Sequence, residues 1–341
     1  MSLDLPLIWA FVIAAAVFFY VVLDGFDLGV GILFPLASPK EREIMIASIA
    51  PVWDGNETWL VLGGGGLLAA FPLAYAIIMP AMYLPIGIML TALIFRGVAF
   101  EFRANAGPSG HGKKLWTAAF SGGSFAAAIA QGFVLGGFLQ GIKIEDGAFA
   151  GGLFDWLTPF SLLVALSLAA GYGLLGAAWL IYKTEGGLQQ RARGWTRRLV
   201  VAVAAAMAAA SLATLSLDPE VTRRWGVSMS AVAWKKFLPL APLPLLTGAA
   251  IFFCWTWARA PHLHLRPYLA AVAIFAGGYG GLAVSLFPLV VPFDVTIWEA
   301  AAAENALGLM LAGVAFLLPV ILGYTAYVYW IFRGKAAASY H

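Results

Sequence analysis

The sequence predicts an all-α polytopic membrane protein with about nine transmembrane helices. Three observations carry that reading. The 341 residues are 62% hydrophobic and 11% charged. Mean hydropathy is +0.88. Apolar runs long enough to cross a bilayer recur from one end of the chain to the other. A water-soluble domain is about 45–50% apolar and about 25% charged. Both departures point the same way, so the bilayer is the expected solvent and a water-soluble enzyme is disfavoured as a class. The net charge is only +3, with the Lys and Arg residues lying between apolar runs rather than on one patch. No nucleic acid is therefore expected as a partner. The single cysteine, Cys254, lies in an apolar run and reads as a small buried side chain. One cysteine supports neither a disulfide framework nor an iron–sulfur site.

A spanning helix needs roughly 20 mostly apolar residues. Nine such runs lie at about 7–34, 44–71, 74–100, 115–139, 157–182, 197–217, 237–258, 268–292 and 306–332. The second and third are divided at Phe71-Pro72-Leu73, because proline breaks or kinks a helix and the joint run is too long for one crossing. The N-terminus lacks a basic leader region, carrying only Asp4, so the first run reads as a retained span. The connections are short, and the chain, 1–341, reads as a single integral membrane domain. Of the 20 Lys and Arg residues, only Lys143, Arg223, Arg224, Lys235 and Lys236 fall on one side of this arrangement. The excess on the other side places the N-terminus outside and the C-terminus in the cytoplasm. Aromatic residues near span ends, among them Trp9, Trp156, Tyr268, Tyr329 and Trp330, fit an interfacial belt. Glycine pairs such as Gly25 and Gly29 suit close helix packing, and no glycine cluster has a phosphate-loop pattern.

Carboxylates inside these runs are costly and point to function. Asp24 and Asp27 lie late in the first run, and Asp54 and Glu57 early in the second, each pair three residues apart and so on a shared helix face. Asp24 and Asp54 each lie about ten residues from a cytoplasmic helix end, or roughly 15 Å deep. Antiparallel spans would let them face each other, with Pro51 and Gly55 loosening the local helix. Proton relay is the favoured role for Asp54. For Asp27 and Glu57, relay and packing stand level, and Asp24 reads rather as structural. Asn56, Thr58 or Arg96 would satisfy the carboxylates in the packing reading, and a bound cation is a third alternative. Arg96 is expected to snorkel to the headgroups. Glu101 is expected to pair with Arg103 or Lys113 at a helix end, and Glu299 and Glu304 to lie at the outer interface.

No histidine falls within a span: His111, His262, His264 and His341 lie in connections or the tail. A membrane haem needs axial His or Met at depth. Met79, Met82, Met89, Met207 and Met310 read as packing residues, so no haem and no metal is expected in this chain.

Asp24-Gly-Phe-Asp-Leu-Gly-Val-Gly31, followed by Ser48-Ile-Ala-Pro-Val-Trp-Asp-Gly-Asn-Glu-Thr-Trp-Leu60, resembles subunit II of the cytochrome bd-type quinol oxidases. The resemblance continues through Phe71-Pro72, Phe95-Arg96 and Phe100-Glu101-Phe102-Arg103. It returns at Phe287-Pro288, Thr296-Ile297-Trp298 and Tyr324-Thr325-Ala326. It implies a bacterial inner-membrane complex whose subunit I carries three haems, oxidises quinol and reduces dioxygen to water. This chain would scaffold subunit I and supply part of the cytoplasmic proton route. Asp54 matches the family acid assigned to that route, with Trp53 and Trp59 as its neighbours in the motif. Small accessory membrane subunits are compatible with this picture. Two departures stand out. Trp116 is followed by Thr117 where the family often has an acid, which removes one partner for Asp27. Trp298 is followed by Glu299-Ala-Ala-Ala302, which looks more like the cyanide-insensitive branch. The alternative of another class is a proton-coupled secondary transporter, which also carries intramembrane acids. The sequence leaves open which quinol is used and whether a quinone or lipid is held in this chain.

Overall fold

The computed structural model describes residues 3–106, 110–215, 219–227 and 232–336. The expected position of His341 lies outside them. Helix α1 (Leu5–Leu33) starts where the Asp4 side chain accepts from the Leu7 N–H, with Pro6 in the first turn. A 3-10 turn leads to the short helix α2 (Pro39–Ile49), whose Ser38 and Glu41 form a capping box. There follow α3 (Trp53–Ala70), α4 (Pro72–Ala81), α5 (Tyr83–Asn105) and α6 (His111–Leu139). A two-strand hairpin, β1 (Ile144–Glu145) and β2 (Ala148–Phe149), precedes α7 (Pro159–Lys183) and α8 (Gly186–Thr214). Helices α9 (Pro219–Trp225), α10 (Trp234–Leu240), α11 (Pro242–Trp257) and α12 (Arg266–Leu286) come next. A second hairpin, β3 (Leu289–Val291) with β4 (Val295–Thr296), leads to α13 (Glu304–Ile331).

Among the described residues, α1, α5, α6, α7, α8, α12 and α13 are each long and apolar enough to cross a membrane, and α10 with α11 forms a bent pair, at 45°, that passes the same test. Two expected boundaries move. The run at 44–71 is broken by a turn at 50–52 ahead of α3, so α2 is a separate short helix. Pro51 has no N–H to continue the ladder. The run at 74–100 is also divided. The break expected at Phe71 is present, and a second one at Met82 separates α4 from α5. About one turn before α5, Pro80 lies inside α4.

Helix α1 is central, packed on α3, α6 and α7. The glycines make that closeness attainable. A Cβ on Gly29 would overlap the Tyr172 carbonyl, and one on Gly176 would overlap the Gly29 backbone, so the α1 and α7 backbones touch. The main cluster joins Phe26, Trp179, Tyr268 and Tyr172 at the α2 end of the bundle. A second, around Trp9, Phe71, Trp156 and Ile297, holds α4 and the hairpins at the other end. Trp9 and Tyr268 are therefore core residues rather than belt residues. Trp9 donates to the Leu307 carbonyl, and Tyr268 packs edge-on against Phe26. Cys254 is fully buried, as its apolar run predicts.

Candidate functional site

Three helices meet around one guanidinium. Helix α1 contributes Asp24 and Asp27, both with no exposed surface, α3 contributes Asn56 and Glu57, and α5 contributes Arg96. Arg96 Nη1 donates to Asp24 Oδ1 at 2.7 Å and to Glu57 Oε1 at 2.8 Å. Asn56 Nδ2 donates to Asp27 Oδ2 at 2.7 Å and to the Leu23 carbonyl at 3.2 Å. Asn56 Oδ1 accepts from the Tyr329 hydroxyl of α13 at 2.9 Å. Arg96 is 1% exposed, so it does not snorkel, contrary to expectation. Two carboxylates within reach hold the guanidinium in the interior more firmly than a distant headgroup would. Asp24 Oδ2, Asp27 Oδ1, Arg96 Nε and Arg96 Nη2 are buried without a hydrogen-bond partner among the described residues.

The helix phase of α3 decides which acid enters this site. Its buried positions are Asn56, Trp59, Gly63, Gly66 and Ala70, one stripe at helical spacing. Asp54 is the second residue of the helix and lies off that stripe, exposed. The depth of about ten residues expected for Asp54 is therefore not realised, because α3 starts at Trp53 after the break. Nor do Asp24 and Asp54 face each other. Asn56 meets α1 in its place, and Glu57 reaches Arg96 of α5. Trp53 stacks on Phe100 with ring centroids 4.7 Å apart, and Trp59, 3% exposed, lies 4.7 Å from the Phe19 ring.

Glu101 is exposed, and the expected pairing of Arg103 and Lys113 goes elsewhere. Arg103 donates through Nη1 and Nη2 to the two carboxylate oxygens of Glu43, at 3.1 and 2.8 Å, and Lys113 lies 3.0 Å from the same side chain. Arg103 holds the Glu43 carboxyl below the usual range, with Lys113 reinforcing the effect. Thr117 accepts from Arg103 Nε at 3.1 Å, so the position that departs from the family pattern serves this network and not Asp27. Near the other end, Glu299 accepts from the Thr296 N–H and hydroxyl, and Trp298 Nε1 donates to Asp4.

A second polar string extends into the bundle. Gln131 Nε2 donates to the Tyr20 hydroxyl at 2.7 Å, and the Tyr172 hydroxyl donates to Gln131 Oε1 at 2.6 Å. All three are buried, with Tyr20 one turn before Asp24 on α1. The sequence reading missed Tyr20, Gln131, Tyr172 and Tyr329. Two signals could have found Gln131 and Tyr20, an amide alone in an apolar run and a tyrosine four residues before an acid, whereas Tyr172 and Tyr329 carry no such signal. The described histidines lie at or beyond helix ends. No group of three or more His, Cys, Asp or Glu among the described residues is placed to hold a metal ion.

Comparison with known proteins gives a consistent picture. The family model described as cytochrome bd terminal oxidase subunit II matches residues 5–332. The cytochrome bd-I ubiquinol oxidase subunit 2 of Escherichia coli is 30% identical, with 97% of this chain and 95% of that protein covered. The cytochrome bd ubiquinol oxidase subunit 2 of Bacillus subtilis is 30% identical over 97% and 96%. A probable cytochrome oxidase subunit 2 of Haemophilus influenzae is 29% identical over 98% and 96%. In fold, the chain matches the bd oxidase structure from Geobacillus thermodenitrificans with a TM-score of 0.76 at 12% identity, covering 96% of this chain and 98% of that one.

Proposed function

The chain belongs to the cytochrome bd terminal oxidase subunit II family, and on that premise we propose that it carries protons from the cytoplasm toward its haem-bearing partner. It is an all-α bacterial membrane protein and a subunit of a quinol:oxygen oxidoreductase. The haems of the complex belong to subunit I in this reading, and they supply the electron transfer and oxygen chemistry. The carrier alternative has no counterpart in the relatives described above.

The proposed arrangement is a single membrane domain of nine crossings in the inner membrane, with the N-terminus outside. Helix α3 provides the second crossing and α5 the third, while α2 lies at the cytoplasmic end and α4 at the outer end. The basic residues concentrated in the connections on the α2 side support this orientation.

The observation that carries the proton reading is the split between neighbouring acids on α3. Asp54 is turned to the surface of this chain, where a partner subunit can cover it, while Glu57 joins the buried Arg96 cluster one turn on. An acid on the helix surface near the cytoplasmic end can take up a proton from water and present it at a subunit interface. Behind it, Asp24 and Glu57 share one guanidinium and Asp27 accepts from Asn56 beside them, a surplus of two acids able to take up and release protons. The four unpartnered polar atoms suit internal water, which would link Asp24, Asp27 and Arg96. Asn56 and Tyr329 tie Asp27 to α13, and Trp53, Trp59 and Arg96 fix the helix positions. Glu101 lies on the exposed side of α5 near the cytoplasmic end, where it supports the acidic entrance.

Asp54→Asn in the two-subunit oxidase tests this. Turnover should fall by about a hundredfold, the lower end of what a positioned proton-transfer group contributes. The haem absorption spectrum should be unchanged. Loss of the haem-bearing complex with intact specific activity in the residue would assign Asp54 to assembly.

A further inference from the structure

A cavity of about 400 Å³ lies between α13 and the bundle at the α2 end. Its size falls within the ~300–1,000 Å³ typical of small-ligand sites. Its walls are apolar and aromatic: Phe19 and Leu23 of α1, Trp59 of α3, Leu322 and Ala326 of α13. No carboxylate lines it. Lys183 and Arg333 do, at the end where α7 and α13 finish.

Those cations are fixed in place, and backbone carbonyls rather than acids fix them. Lys183 Nζ donates to the carbonyls of Phe332 and Gly334, the latter at 2.7 Å, and Arg333 donates to the Trp330 carbonyl at 3.1 Å. Just beyond, Lys335 Nζ donates to the carbonyls of Tyr182 and Thr184 at 2.6 and 3.0 Å. None of the three forms a salt bridge with a carboxylate among the described residues; Glu185 is the acid that acts on Lys335 from further off. Three cations held at one mouth without a counter-charge favour an anion there, and the apolar walls favour a hydrocarbon chain. Tyr268 lines the floor. It is 8% exposed.

We propose that this cavity binds one anionic phospholipid, with an acyl chain between α13 and the bundle and the phosphate at Lys183 and Arg333. Its position at the cytoplasmic headgroup level rests on the orientation proposed above. The occupant would also set the seat of α13, whose Tyr329 lines the same cavity and donates to Asn56 beside Asp27. The lipid site thereby borders the proton cluster without forming part of it.

The test uses the intact two-subunit oxidase, delipidated in mild detergent and titrated with phosphatidylglycerol or phosphatidylcholine under native mass spectrometry. One phosphatidylglycerol should bind about 30-fold more tightly than phosphatidylcholine, the preference expected from two cations at the headgroup level. Ala326→Trp, which fills the cavity, should abolish that single tight site, and Arg333→Gln should reduce the preference while the complex stays assembled. Equal binding of the two lipids, retention of the site in Ala326→Trp, or a map showing a subunit I side chain or a neutral prenyl lipid in the cavity would overturn the proposal. Turnover of Asp54→Asn is read separately, so the lipid site and the proton route can fail independently.

Discussion

Arg96 holds two carboxylates on a single nitrogen, one on α1 and one on α3. Burial of such an ion pair contributes little net stability against an apolar alternative, but breaking it is costly, because the remaining charge has no water to turn to. Arg96→Leu is therefore expected to destabilise the assembled subunit by ~3–5 kcal/mol. The double variant Arg96→Leu with Asp24→Leu should recover much of that loss, since it removes a carboxylate together with its partner. Thermal unfolding of the purified complex checks both. At this scale the sequence was informative about residue types and poor about partners. It marked Asp24, Asp27, Asn56, Glu57 and Arg96 as out of place in hydrocarbon. It could not show that Asn56 and Glu57, rather than Asp54, join the site, the one through Asp27 of α1 and the other through Arg96 of α5. That depends on the phase of α3, set by a break at 50–52 that a smooth apolar run conceals.

Helix α2 is the element whose placement depends most on charge. It is only 11 residues long and has no marked apolar face. Glu43 joins it to Arg103 of α5 and Lys113 of α6, while Glu41 pairs with Arg191 of α8. Because the folded state lowers the Glu43 carboxyl below its usual range, its contribution is present at neutral pH. It is lost as pH falls from the ordinary glutamate range through the lower folded value. Glu43 is 38% exposed, so the effect is small, on the order of 1 kcal/mol or less. Backbone protection of α2 in hydrogen exchange, corrected for intrinsic rates, should decline over that acid window. Glu43→Gln should give weaker protection that no longer changes there. The sequence did not foresee α2 as a separate helix, nor the Glu43 network, because Arg103 and Lys113 had a nearer acid in Glu101. Distance along the chain favoured Glu101, and the crossing of α5 with α6 and α2 favoured Glu43. The long helices were legible, since a bilayer leaves few ways to satisfy backbone groups and apolar length follows directly.

Across the whole molecule, α1 is the axis on which the other parts are assembled. Its glycine face lets α7 approach to backbone contact, and its acids meet α3 and α5. The polar string through Tyr20, Gln131 and Tyr172 lies on the inner side, away from the exposed Asp54. The molecule thus has an exposed acid and a buried acid cluster behind it, linked through α3. The resemblance to a family of oxidase subunits was readable from two motifs in the first third of the chain. The tyrosines that complete the site come from α7 and α13, more than a hundred residues later, and only folding brings them together.

Proton uptake during a single turnover tests the central claim most directly. The fully reduced two-subunit oxidase, sealed in vesicles with its cytoplasmic side facing out, would be mixed with dioxygen in the presence of a pH-sensitive dye outside. The account predicts that Asp54→Asn slows the dye signal by about a hundredfold while electron delivery to the haems keeps its normal rate up to the first proton-coupled step. Uptake at the native rate in Asp54→Asn, with the same number of protons taken from the cytoplasmic side, would contradict it.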